Sequence, residues 1–233
     1  MIEYSITDKH IKLDLPSGIF HPTTTTQLLA EQLVNLKDKI VLDLGCGAGP
    51  LAITAALNGA EKVYAVDIME EACEATKFNA KLNGVDDCIE VRQGDLFKPV
   101  KGLKFDIILD DVSGMADEVS RISSWYPESI PTGGPDGTNQ TIRMLRQSPN
   151  YLVNSGSLYF PLISLANSEK MLATAHEIFG TNIQRIACKF IPFNKELQAN
   201  IHLLMRLKNE GTVNFTQRRG RYLWNLAIYK ANA

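Results

Sequence analysis

The chain has 233 residues, 45% hydrophobic and 21% charged, with a net charge of −2. That is an ordinary globular balance, enough for a packed core without disulfides or metals. It gives no bulk field toward nucleic acid or anionic membrane, and no apolar run approaches the roughly 20 residues that a bilayer span needs.

Residues 1–20 read as short strands or an extended arm, punctuated by Pro16, Gly18 and, just beyond, Pro22. The opening stretch MIEYSITDKHIKLDL alternates apolar and charged residues and has no signal-peptide core. Thr24–Leu36 places Leu28, Leu29, Leu33 and Leu36 near helical spacing. Lys39–Leu44 (KIVLDL) suits a strand buried on both faces of a parallel sheet. Pro50–Leu57 follows as a helix with proline in its first turn and Gly59 as its stop. A second strand is predicted at Lys62–Val66. Glu70–Leu82 is a helix with acids in its first turn and Asn83-Gly84 as its exit. Ile89–Arg92 and Phe105–Leu109 are the third and fourth strands.

Residues 111–137, rich in Ser, Gly, Pro and Asp, read as a long loop, and loops of that length are usually functional or disordered. A helix around Asn139–Val153, a fifth strand at Ser157–Ile163, a helix at Ser168–Phe179 and a sixth strand at Asn182–Ile191 resume the rhythm. Asn194–Lys208 is predicted as one amphipathic helix, capped by Asn194 and stopped by Gly211. Arg221–Tyr229 is a last strand, expected beside the sixth. Strands alternating with helices predict an α/β fold: a Rossmann-like, doubly wound, mostly parallel seven-stranded sheet with helices on both faces. One domain over 1–233 is expected, with an N-terminal arm and helix (1–36), a core (37–165) and a C-terminal part of the sheet (166–233). Cys46, Cys73, Cys88 and Cys188 make no CxxC pair and have no His at ligand spacing. They read as reduced thiols of a cytoplasmic protein. Arg218, Arg219 and Arg221 form a small basic patch, read as a solvated strand approach.

The strongest chemical signal is VLDLGCGAG, Val41–Gly49, in which a buried strand runs into Gly45, Gly47 and Gly49 and then a helix. Glycine lets the backbone approach a ligand closely, and open α/β sheets bind ligands at the carboxyl ends of their strands. The pattern is GxGxG. The dinucleotide fingerprint GxGxxG would need glycine where Pro50 stands, which weakens a nicotinamide reading. Asp67 closes the second strand about twenty residues on, placed to accept bonds from ribose hydroxyls. Gly94-Asp95-Leu96 follows the third strand, and an acid there reaches toward an adenine amine.

VLDLGCGAG, VYAVDI and RQGDLF resemble the first three cofactor motifs of class I S-adenosylmethionine-dependent methyltransferases, in order and spacing. KFNAKLNGVDDCIEV, TGGPDGT (Thr132–Thr138) and FHPTTTTQLL further resemble the HemK/PrmC-like branch, which includes protein-glutamine N-methyltransferases. The resemblance covers about residues 18–165. It implies S-adenosylmethionine as cofactor, with Asp43, Gly45, Cys46, Gly47, Gly49, Asp67, Ile68, Gly94, Asp95 and Leu96 at its site and Thr26 near its methionine end.

The chain departs from that branch after the fourth strand. Where the branch has Asn-Pro-Pro-Tyr, FDIILDDVSG has Asp111, Val112, Ser113 and Gly114. An acceptor oxygen survives and the prolines and ring do not, so an amide or nucleobase nitrogen fits poorly. The expected acceptor is an oxygen or amine of a small molecule bound under the 111–137 loop. Asp111 would orient or deprotonate it and Asp110 would support the charge near the sulfonium. His21, Trp125 and Tyr126 are the expected substrate-pocket residues, with the WYP segment as a lid. A metal-dependent O-methyltransferase would need an Asp-Asn pair where SLYFPLIS stands, so no metal is expected. The alternatives are a HemK-like protein N-methyltransferase and a non-catalytic cofactor-binding protein. The absence of a basic appended domain speaks against a nucleic-acid partner, and an oligomer remains open.

Overall fold

A computed structural model describes the chain except Met1, Thr7, Asp8, Ser113, Trp125, Pro127 and Glu128, and gives the backbone alone of Ile2, Ser5, Ile6 and Lys9. An antiparallel hairpin, β1 (Ile2–Ile6) and β2 (Lys9–Leu13), leads into α1 (Thr24–Ala30). The chain continues through β3 (Ile40–Leu44), α2 (Pro50–Leu57), β4 (Lys62–Asp67), α3 (Glu70–Leu82), β5 (Ile89–Gln93) and β6 (Phe105–Asp110). Then come α4 (Asp117–Arg121), α5 (Asn139–Gln147), β7 (Leu152–Ile163), α6 (Ser168–Phe179) and β8 (Ile183–Pro192). Two short helices, α7 (Lys195–Ala199) and α8 (Ile201–Asn209), and the strands β9 (Thr216–Arg218) and β10 (Arg221–Asn232) complete it.

The main sheet runs β5-β4-β3-β6-β7-β10-β8, with β9 paired to β10. β3 to β7 are parallel to their neighbours, and β10 enters antiparallel between β7 and β8. The sheet is Rossmann-like. Alternation along β3 explains its two cores. Val41 faces one side with Leu29, Leu33, Leu51, Ile53 and Val63. Leu42 and Leu44 face the other with Phe97, Phe105, Ile108, Met144 and Phe160. From β3 the order runs outward to β4 and β5. From β6 it runs the opposite way to β7. The carboxyl ends of β3 and β6 therefore flank the switch point where such sheets bind ligands.

Four expectations change. The helix predicted to reach Leu36 stops at Ala30, and the chain beyond it turns left-handed at Asn35 and Asp38, at φ 54° and 61°. Leu33 and Leu36 are buried all the same. The 194–208 helix is two helices, broken at Asn200, whose side chain turns back to the Glu196 carbonyl (2.9 Å). The 139–153 helix ends at Gln147, followed by a 3-10 turn containing Pro149. The 111–137 loop holds α4.

Candidate functional site

The glycine loop after β3 is built from its backbone. Gly45 and Cys46 donate to the Val66 carbonyl at 2.8 and 3.1 Å, and Gly49 donates to Cys46 at 2.7 Å. The three glycines are left-handed, at φ 77°, 54° and 84°. At Gly45 a Cβ would press on the Asp111 carbonyl (3.1 Å), and at Gly49 on Thr76 Cγ2 (2.9 Å). At Gly47 it would meet nothing within 4 Å, because that residue faces a cavity of about 440 Å3.

Asp67 ties β4 to this loop. Its Oδ2 accepts from Gly47 N and its Oδ1 from Met69 N, both at 3.0 Å. Burial raises its pKa, and the two amides oppose that shift. After β5, a Cβ at Gly94 would overlap Pro99, and Leu96 is left-handed at φ 50° and buried against the cavity. Asp95 also lines the cavity. Its Oδ2 is already held by Arg143 (2.7 Å) and Lys98 (3.0 Å), and chiefly the Arg143 hydrogen bond lowers its pKa.

Three acids gather at the ends of β3 and β6. Asp111 lines the cavity, donates its N–H to the Leu44 carbonyl (3.0 Å) and accepts a hydrogen bond from Thr26 Oγ1 (3.0 Å). Thr26 Oγ1 in turn accepts from Thr23 N (3.1 Å), half of the capping box that starts α1. Burial pushes the Asp111 carboxyl up to about 6. Asp43 and Asp110 stand behind the wall. Asp43 Oδ2 caps α2 through Ala52 N (3.0 Å), and Asp110 Oδ1 accepts from Val112 N (3.4 Å). Their other oxygens have no partner among the described residues. Burial first raises both to about 8, with the charge of Asp111 adding to it.

His21, Ile68, Cys46 and Tyr126 reach the same cavity. Tyr126 meets Phe20 edge to face (centroids 4.9 Å apart) and donates its O–H to the Pro131 carbonyl (2.8 Å). Trp125 lies outside the described residues. Gly49, Asp43 and Asp110 support the wall from behind. The far wall was not readable from sequence. It comes from Thr141 of α5, Ile163 of β7, Ile191 and Pro192 of β8, Asn194, Leu197 of α7 and Trp224 of β10. These residues carry no motif. The only signal of Ile163, Ile191, Leu197 and Trp224 is apolar patterning, which reads as core, and Asn194 reads as a helix cap. Among the described residues the cavity is lined by the carboxylates of Asp67, Asp95 and Asp111 and by no Lys or Arg. Such a site favours a ligand bearing positive charge, as a sulfonium with an amino group does. Among the described residues no three His, Cys, Asp or Glu side chains group as a metal site.

Residues 7–126 match the family described as ribosomal protein L11 methyltransferase (PrmA). A Methanocaldococcus jannaschii protein named "Putative protein N5-glutamine methyltransferase" is 34% identical over 191 residues, covering 82% of this chain and 94% of that protein. The ribosomal protein L11 methyltransferase of Caldanaerobacter subterraneus is 30% identical over 176 residues, covering 73% of this chain and 55% of that one. The chain thus spans about half the length of that L11 methyltransferase. The crystal structure of the ribosomal protein L11 methylase from Lactobacillus delbrueckii superposes with a TM-score of 0.56 at 25% identity, covering 94% of this chain and 83% of that one.

Proposed function

Since the chain belongs to the ribosomal protein L11 methyltransferase (PrmA) family, we propose that its methyl acceptor is an amine nitrogen of a protein. The chain is an S-adenosylmethionine-dependent methyltransferase, and that cofactor supplies an electrophilic methyl group on a sulfonium. The residues present fit it. Gly45–Gly47 offer close backbone approach, Asp67 would offer its carboxylate to the ribose hydroxyls, and Leu96 and Ile68 would supply apolar wall for the base.

The observation that carries the acceptor reading is Asp111, a carboxylate on the cavity wall held by Thr26, where the glutamine-modifying branch has an amide. An amine arrives as an ammonium ion and must shed a proton before its lone pair can attack. A carboxylate near 6 attracts the ammonium and can take that proton. The apolar wall of Ile163, Ile191, Leu197 and Trp224 holds an aliphatic stem and, by desolvation, lowers the ammonium's own pKa. Asp111 is thus a catalytic residue and Thr26 a positioning residue. The names of the relatives point to protein substrates rather than the small molecule expected from sequence. The M. jannaschii relative favours a second reading, a glutamine amide, which needs an uncharged acceptor at position 111.

Asp111→Asn separates the two. With S-adenosylmethionine and purified L11 or release factor as acceptor, and mass spectrometry to locate the methyl, an amine acceptor predicts a loss of kcat on the order of 10²-fold or more. Cofactor affinity should hold, and the wild-type rate should climb with pH through about 6. Equal or better turnover by Asp111→Asn gives the site to the amide.

A further inference from the structure

The charge of the chain is segregated. Residues 183–233 hold nine Lys and Arg against two Asp and Glu, whereas residues 1–182 hold fifteen against twenty-four. The excess is densest on the β9–β10 ribbon. Its turn is Arg219-Gly220, both left-handed at φ 49° and 77°, the type I′ geometry that favours Asn-Gly. Arg219 therefore sits where a long side chain is disfavoured. Arg218 stands directly across from Arg221, and like charges so paired weaken a ribbon.

Neither cost serves the fold, because all three side chains are exposed. Among the described residues none of the three has a carboxylate within ion-pair distance. The Arg218 guanidinium lies 4.6 Å from the centroid of Phe190, which is 43% exposed on β8. Lys189 and Arg185 are exposed along the same strand. A lysine on an edge strand guards against edge pairing. That accounts for Lys189 but not for three arginines in one tight turn.

We propose that the β9–β10 ribbon and Phe190 form a docking surface for the phosphate backbone of RNA. Guanidinium forks fit phosphate oxygens, which relieves the Arg218–Arg221 repulsion. A ring flanked by arginine is a stacking platform for an unpaired base. An acidic peptide would use the arginines and leave the ring idle. Unstacked bases are the rule in RNA loops, which makes RNA the fitting strand. Arg221 and Asn225, the residue opposite Phe190, share one face of β10, whereas Trp224 points to the other face and lines the cavity, so the bound strand would lie on the sheet face away from the cavity. The proposal stands apart from the amine reading.

The test is anisotropy of a labelled single-stranded RNA of about 20 nucleotides on the full chain, from about 50 to 200 mM salt. The triple variant Arg218→Gln, Arg219→Asn, Arg221→Gln is expected to bind about tenfold more weakly or worse at low salt. Its log–log salt slope should be shallower by about 2, since each single-strand phosphate contact contributes about 0.7. Asn suits the turn, so Tm should hold or rise, and S-adenosylmethionine affinity should not change. Phe190→Ala should weaken binding with the slope kept. No RNA binding at low salt, a parental slope in the triple variant, or binding of poly-glutamate but not RNA overturns the proposal. A failure of methyl transfer leaves these readouts untouched.

Discussion

At Gly49 an added Cβ would lie 2.9 Å from Thr76 Cγ2 on a backbone at φ 84°, whereas at Gly47 the same atom enters open space. The two positions should therefore separate folding from binding. Gly49→Ala is expected to lower stability in urea denaturation by about 2 kcal/mol or more. Gly47→Ala is expected to lose only about 1–2 kcal/mol, for its left-handed backbone, and to raise the Kd for S-adenosylhomocysteine in calorimetry. The buried acids make a second residue-scale prediction. Asp43 and Asp110 sit near 8 in the folded chain against 3.8 as the ordinary value, so the folded state binds the extra protons. Their contribution to stability is complete below about pH 4 and is lost as pH rises through about 8. Without cofactor the protein should melt lower at pH 8.5 than at pH 6, and Asp110→Asn should flatten that dependence. A melting curve indifferent to pH across this window would refute the neutral form of Asp110.

The N-terminal arm is tied to the glycine loop through one side chain of α3. Asn79 is fully buried. Its Oδ1 accepts from Asp14 N (2.7 Å), and its Nδ2 donates to the carbonyls of Asp14 and Ala48 (both 2.9 Å). It thereby clamps the segment after β2 onto the glycine loop. Asn79→Ala strands those backbone groups and should cost about 3 kcal/mol. It should also weaken cofactor binding, because Ile19, Phe20 and His21 follow from that arm onto the cavity wall. Differential scanning fluorimetry with and without S-adenosylhomocysteine reads both effects. Among the elements, α2, α3 and α6 were legible to the residue, because each has a clean stop (Gly59, Asn83-Gly84, Gly180) and a distinct starting turn. α1 and the pair α7–α8 were not. Their apolar spacing continues past the backbone break, since Leu33 and Leu36 are buried from irregular chain and Asn200 competes for its own helix.

At the scale of the molecule, the switch point between β3 and β6 brings Gly45 against Asp111, 66 positions apart in sequence, and β10 slots between β7 and β8. The sequence alone marked the glycine loop, Asp67 and Gly94-Asp95 at the ends of β3, β4 and β5, because local spacing is enough to specify a strand–turn–helix unit. It also marked Asp111 as the departure from Asn-Pro-Pro-Tyr. Only the tertiary structure decided that Thr26 holds Asp111, that Asp95 is already paired with Arg143, and that Ile191, Leu197 and Trp224 line the cavity. It alone stacks Arg218 on Phe190 as well, in a chain whose net charge of −2 hides the basic end. Such contacts join residues from separate elements, and the packing of the sheet, not any periodicity within one segment, selects which of them meet.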